Sequence, residues 1–496
     1  MSVSSKRGFL DFLVSKEGFF LWLYSLFLLL YLGELKLPLS YDEAYYWDWS
    51  RILDVGYYSK PPMIAWIIAL TTNLFGDTEF GVRIGAVFLR ILSLLFVMYF
   101  FFRYFDRFRM RLSLFTFCFT PILTIYSFIM TIDPPLFFFW IASLFFGAYF
   151  LEKRNTLSAT LLGFSIGLGL LAKQTMLAFP ALFLFYLFLF ERDLLKTKQT
   201  LVWILLSFVL VSLNLWWNFK HGLVMVKHTE EHFSRYFPAL EDLSTFFAGI
   251  FFLYGPLLVA LFFYFSFRYA KVLGRFFRRK TIPIPEDKLF QFKLINFLYI
   301  LSFLPLLVLL PLSLILKMNV NWVAPFFLSA FFFTIALATT RQLYIRLLLL
   351  NLIVCFFFSL AILTLPKKPD LFGKKVATSL FKFYGGKELA KAVEKYYQKD
   401  LPLLTSGRES ASWLAFYLKE KPKVYVVKEG KEPENQYHIW RDAETLKGKE
   451  VLLVKKWADK PTYLANPQHL ETVEYEFYGK KRVYSIWRGV YVGVDK

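Results

Sequence analysis

Eleven stretches of about 17–25 mostly apolar residues recur along this chain, near 19–36, 82–102, 112–130, 135–151, 157–172, 175–190, 200–217, 246–267, 294–316, 322–340 and 345–365. Each is long enough to cross a hydrocarbon layer, where a backbone must satisfy its own hydrogen bonds. The repetition excludes a single soluble core: 57% of the 496 residues are hydrophobic, 61 of them Phe, and the mean hydropathy is +0.47. A polytopic α-helical membrane protein in a lipid bilayer is the expected fold class.

Charge then becomes a matter of topology. The net charge of +21 and the pI of about 9.6 would suggest nucleic acid for a soluble chain, but here they first suggest basic cytoplasmic loops, with no nucleic-acid partner. With the N-terminus inside, the segments 1–18, 103–111, 152–156, 191–199, 268–293 and 341–346 hold 22 Lys/Arg, against 8 in the opposite-side segments before the last span. Eleven spans would leave the C-terminus outside. The first apolar run lacks a small-residue cleavage site and reads as a retained helix. Cys118 and Cys355 both lie in apolar runs, which leaves no disulfide framework and no cysteine zinc site.

Composition changes after Pro366: charges become frequent and apolar runs shorten. Residues 1–365 read as the transmembrane domain and 366–496 as an extracytoplasmic α/β domain, with strands at 423–427, 450–454 and 483–487 and helices near 386–398 and 409–419.

The polar loop 37–81 holds the densest cluster of carboxylates and aromatics. Ser40-Tyr41-Asp42-Glu43 is a capping box that starts a short juxtamembrane helix, and Asp42 and Glu43 either complement its dipole or carry chemistry. Lys60, fixed before Pro61-Pro62, is either an interfacial lysine or an ammonium facing an anion. A second short apolar helix follows from Met63 to Phe75. Asp133, between two spans, is either a solvated carboxylate at a span end or a near-membrane acid facing a cavity, of the kind that serves function. Lys173-Gln174 separates spans five and six, Trp216 to Gly222 follows span seven and Asn319 to Trp322 precedes span ten, all on the same expected side, and flanking Trp residues alone would make only an aromatic belt.

Two motifs are discounted. Gly167-Leu168-Gly169-Leu170-Leu171-Ala172 matches a dinucleotide fingerprint but lies inside an apolar span, where Gly163 and Gly167 serve helix packing. His228-Thr229-Glu230-Glu231-His232 has zinc-ligand spacing but no evident third ligand.

Asp42 to Trp47, Gly56-Tyr57-Tyr58, Lys60 to Trp66 and Leu74 to Arg83 resemble the first loop of bacterial GT-C glycosyltransferases. These form the protein O-mannosyltransferase-like group that includes the aminoarabinose and galacturonate transferases of lipid A. Met130 to Pro135, Leu171 to Thr175, Trp216 to His221, Asn321-Trp322 and Glu434 to Trp440 are similar to its later signatures.

The resemblance implies inverting transfer of a sugar from a polyprenyl phosphate to an extracytoplasmic acceptor, lipid A, another glycolipid or a protein, at the cell inner membrane. It implies Asp42 as catalytic carboxylate with Glu43 beside it and Asp133 as a second acid. Lys60, Arg83, Lys173 and His221 become candidate phosphate partners. Tyr45, Tyr57, Tyr58, Gln174, Asn218, Asn321 and Trp322 would line the substrate cavity. A hydroxyl acceptor would use Asp42 as general base; a phosphate acceptor would leave it to orient substrates or hold a divalent cation. Aminoarabinose transferases commonly carry an acid before the lysine, where this chain has Ser59. A transporter of lipid-linked sugars is the competing class, but its charged groups would gather at the midplane. A non-catalytic scaffold would leave the first-loop cluster without a role.

Overall fold

A computed structural model describes residues 15–232, 237–279, 285–338, 341–430 and 432–494. The chain forms two compact units. The first comprises 1–34, 86–212 and 233–362, and the second 35–85, 213–232 and 363–496. The second unit thus gathers the first loop with the C-terminal domain, where the sequence suggested one boundary at 365.

Among the described residues, seven helices are long and apolar enough to span a bilayer: Lys16–Glu34, Glu79–Tyr104, Asp133–Lys153, Lys198–Lys220, Pro256–Arg279, Glu286–Leu312 and Gln342–Thr364. Three further expected spans form the shorter helices Thr156–Leu170, Gln174–Phe190 and Ala324–Ala338. The stretch 112–130 is divided by Pro121 into Arg107–Phe119 and Pro121–Ile125. The stretch 246–267 breaks at Gly255, whose φ of +93° a side chain would resist, and Pro256 opens the next helix. Met63–Phe75 is the second short helix, as expected.

In the first unit the buried helix start at Pro256 would strand donors in an apolar medium. Asn351 answers this: its Oδ1 accepts from the Leu257 and Leu258 N–H groups, each at 3.1 Å. Aromatic rings fill the core, with Trp140 edge-on to Phe179 and Phe326. Its indole donates to the Ser329 hydroxyl at 2.9 Å. Gly163 and Gly167 do serve packing: a Cβ on either would lie within 3.0 Å of Trp203 or Leu210.

The second unit holds a mixed five-stranded sheet, β2-β1-β3-β5-β4. β1 (Leu403–Thr405) runs parallel to β2 (Val424–Val426) and β3 (Glu450–Lys456), while β5 (Lys480–Tyr491) is antiparallel to β3 and β4 (Leu464–Phe477). The Arg408–Tyr417 helix connects β1 to β2 and carries the contacts to the first loop. Trp413 donates to the Leu39 carbonyl (3.0 Å), Leu39 N–H to the Tyr417 hydroxyl (2.7 Å), and Ser412 to the Tyr41 carbonyl (3.0 Å).

These packing differences predict opposite outcomes for two glycines. A Cβ at Gly167 meets Leu210 Cδ1 at 2.6 Å, so Gly167→Ala should cost about 1–3 kcal/mol by overpacking. Gly274 lies on an exposed helix face with nothing within 4 Å, so Gly274→Ala should be neutral or stabilise by up to about 1 kcal/mol. Thermal unfolding midpoints of the detergent-solubilised variants, lower for the first and not for the second, check this.

Candidate active site

The helix Tyr41–Ser50 is fixed at its start by the capping box the sequence predicts: Ser40 Oγ accepts from Glu43 N–H (3.2 Å), and Glu43 Oε2 accepts from Ser40 N–H (3.0 Å). Glu43 is fully buried and forked to Arg83, whose Nε and Nη2 donate to its two oxygens at 2.7 and 2.9 Å. Arg83 also donates to the Leu37 and Pro38 carbonyls, at 2.6 and 2.8 Å. With four such bonds and 1% exposure, Arg83 is not placed to meet a phosphate, and Glu43 is not placed to meet a substrate. Both expectations are corrected: the pair is structural, because each charge needs the other once buried.

Asp42, one residue earlier, points elsewhere. Its side chain is 38% exposed and accepts from Arg408 Nη1 at 2.9 Å. The guanidinium lies over the rings of Tyr41 and Tyr45, 5.5 and 4.8 Å from their centres. Burial works most strongly against its charge, but Asp42 together with Tyr45 and Tyr46 holds the guanidinium pKa above the ordinary range. Gln436 ties the same region together: its N–H donates to the Tyr45 hydroxyl (2.5 Å), and its Oε1 accepts from Tyr58 N–H (2.6 Å). Lys60 is half-buried after this turn, its carbonyl accepting from Tyr57 N–H at 3.2 Å. Tyr57 stacks on Trp49 (4.5 Å, 10°) and is fully buried. Tyr45 is buried as well. Asp48 is buried too, and burial pushes its carboxyl above the ordinary range in spite of Arg51 at 3.0 Å.

Trp217 and Asn218 lie in the last turn of a helix that runs to Lys220, and His221 follows in the turn after it. Trp217 donates to Asp54 at 2.7 Å and packs against Gly56, where a Cβ would sit 2.7 Å from its ring. Asn218 Oδ1 accepts from Met225 N–H (3.2 Å), and His221 stacks on Trp217 with ring centres 4.0 Å apart. The His228 ring is 5.3 Å from that of Tyr58, while the His232 side chain lies outside the described residues.

A second polar cluster belongs to the first unit. Asp133 opens the helix Asp133–Lys153 ahead of Pro134 and Pro135, where its charge meets the positive helix end. Lys173 Nζ donates to its Oδ1 at 2.8 Å and Asn321 Nδ2 to its Oδ2 at 3.1 Å. Both members of the ion pair are under 9% exposed, so Lys173 neutralises Asp133. Gln174 begins the next turn with its Nε2 buried and without a hydrogen-bond partner, and Trp322 packs against the apolar core.

A resident divalent cation does not fit this donor set. Asp42 is engaged by a guanidinium, Ser59 stands before Lys60, and among the described residues no three His, Cys, Asp or Glu side chains converge. Arg408 is the partner of Asp42 that the sequence did not reveal: it sits 366 positions away, and its own helix reads as an ordinary crossover.

Two predictions follow from these partners. Glu43→Gln leaves Arg83 buried without its counter-ion and should cost about 3–5 kcal/mol, while the double variant Glu43→Gln/Arg83→Met should recover part of it; thermal midpoints of the three proteins measure the difference. His438 is held neutral: burial lowers its pKa from 6.5, with Nδ1 accepting from Glu434 N–H at 3.2 Å and Nε2 facing the Val427 carbonyl at 3.2 Å. The folded form thus binds fewer protons than the unfolded one, and stability should fall as pH drops below about 6.5. His438→Gln should flatten that slope in thermal unfolding followed from pH 7.5 to 5, roughly the window its titration covers.

Residues 59–217 match the family model described as dolichyl-phosphate-mannose-protein mannosyltransferase. Over 222 residues the chain is 31% identical to lipid A galacturonosyltransferase RgtD of Rhizobium johnstonii, a match covering 44% of this chain and 46% of the relative. The chain thus spans about half the length of the curated relative it matches. The crystal structure of ArnT from Cupriavidus metallidurans in the apo state superposes with a TM-score of 0.58 at 13% identity, covering 95% of this chain and 98% of ArnT. The structure of ArnT bound to undecaprenyl phosphate gives 0.57 at the same identity and coverage. The chain is a multi-span membrane protein that shares the fold of ArnT.

Proposed function

We propose that this protein is an integral membrane glycosyltransferase that moves a sugar, with inversion, from a polyprenyl-phosphate donor to lipid A or a related envelope glycolipid. The activity named for the Rhizobium relative supports the acceptor class, and the undecaprenyl phosphate named for the ArnT complex supports the donor class. The observation that carries the reading is the split between two adjacent carboxylates: Glu43 is fully buried, while the Asp42 side chain is 38% exposed beside an arginine. Only Asp42 is offered to a substrate.

In the proposed reaction the bond between the sugar C1 and the phosphate oxygen breaks, and the phosphate departs with the electron pair. Little protonation is needed, because the leaving group is already a stable anion; a fixed cation stabilises it, and Lys60 is assigned that role. A hydroxyl acceptor attacks C1 from the opposite face while Asp42 takes its proton. Arg408 keeps the carboxylate oriented and offers a second positive charge to an anionic acceptor. The site would face the periplasmic side of the cytoplasmic membrane.

The test is transfer from a polyprenyl-phosphate sugar to lipid A in membranes, followed by mass spectrometry of the lipid. Asp42→Asn should lower turnover by about 100-fold or more, Lys60→Ala should do the same, and Arg408→Lys should retain more activity than Arg408→Ala. Full activity in well-folded Asp42→Asn and Lys60→Ala proteins would sink the proposal.

A further inference from the structure

At the far end of the Ala324–Ala338 helix from Asn321, the first unit has a cavity of about 740 Å³ that the reaction above does not use. It lies where the Pro256–Arg279 helix leaves its apolar stretch and the Gln342–Thr364 helix begins, both of them long enough to span a bilayer. Arg268, Lys271 and Arg275 come from one helix at spacings of three and four residues, so they share a face, and Arg341 joins them from beside the next helix. All four are exposed. Among the described residues, none of the four pairs with a carboxylate, and no acidic side chain lines the cavity.

The floor is apolar and aromatic. Phe265, Tyr269 and Tyr344 are buried, and the polar ends of the tyrosines are already used. The Tyr269 hydroxyl donates to Asn296 Oδ1 at 2.5 Å, and the Tyr344 and Tyr264 hydroxyls meet at 3.0 Å. Arg268 Nη1 donates to the Tyr264 hydroxyl at 2.7 Å, which anchors one cation at the rim. What remains is a ring of positive charge above ring faces, at the end of membrane-length helices. A soluble anion would use the charge but not the apolar floor, and a zwitterionic lipid would bring a cation into a cationic ring.

We infer that this cavity is a binding site for an anionic glycerophospholipid, its phosphates held by Arg268, Lys271, Arg275 and Arg341 and its acyl chains lying along the neighbouring helices. The site is independent of the sugar-transfer reading, since it shares no residue with it.

Native mass spectrometry of the detergent-solubilised full chain, titrated with cardiolipin or with phosphatidylcholine of the same acyl chains, tests this. Cardiolipin should be retained at least tenfold better, since each cation near a lipid phosphate contributes roughly a fivefold preference. Arg268→Glu/Arg275→Glu should reduce cardiolipin retention to the phosphatidylcholine level, while Arg268→Lys/Arg275→Lys should keep it. Equal retention of the two lipids by the unmodified protein would overturn the inference. So would unchanged cardiolipin retention in the charge-reversed variant, or displacement of cardiolipin by excess inorganic phosphate, which would mark a site for free anions.

Discussion

The buried fork between Glu43 and Arg83 is the interaction on which the second unit depends. Two full charges at 0 and 1% exposure survive only because every strong bonding direction is taken, by each other, by Ser40 and by the Leu37 and Pro38 carbonyls. The pair joins the capping box to a helix that begins at Glu79, and so fixes the direction in which Asp42, on the preceding position of the same turn, must point. A charge used for architecture thereby leaves its neighbour at the surface.

Much of this was legible. Ser40 and Glu43 stand three apart, a spacing with one local meaning, and the capping box forms. Asp133, Lys173 and Asn321 interrupt separate apolar runs, and a lone charge in such a run demands a partner; the three meet. The identity of partners across long separations was not legible. Nothing local distinguishes Arg83, which closes on Glu43, from Lys60, which does not, so both looked like phosphate ligands. Arg408 opens a crossover helix after a three-residue strand that was itself missed, because Leu403–Thr405 is too short to show alternation. β4 was missed for a different reason: Asn466 and Pro467 sit near its start, where the register against β5 also shifts.

Span counting shows a similar limit. Hydropathy sums residues without regard to backbone breaks, so 112–130 and 246–267 read as continuous although Pro121 and Gly255 divide them. Asn351 marks the repair of the second break, a polar residue in an apolar run whose purpose appears only when the donors it serves are known.

The pairing of Asp133 with Lys173 has a consequence for a protein that lives in an electric field. As a neutral pair the two carry no net charge for a membrane potential to act upon, so the cluster is indifferent to the energised state of the membrane. A single unpaired charge crossing the full field would gain or lose about 2.3 kcal/mol per 100 mV. An anionic ligand that drew Lys173 away from Asp133 would break that neutrality, and the energy of occupying the cluster would then depend on the voltage of the cell.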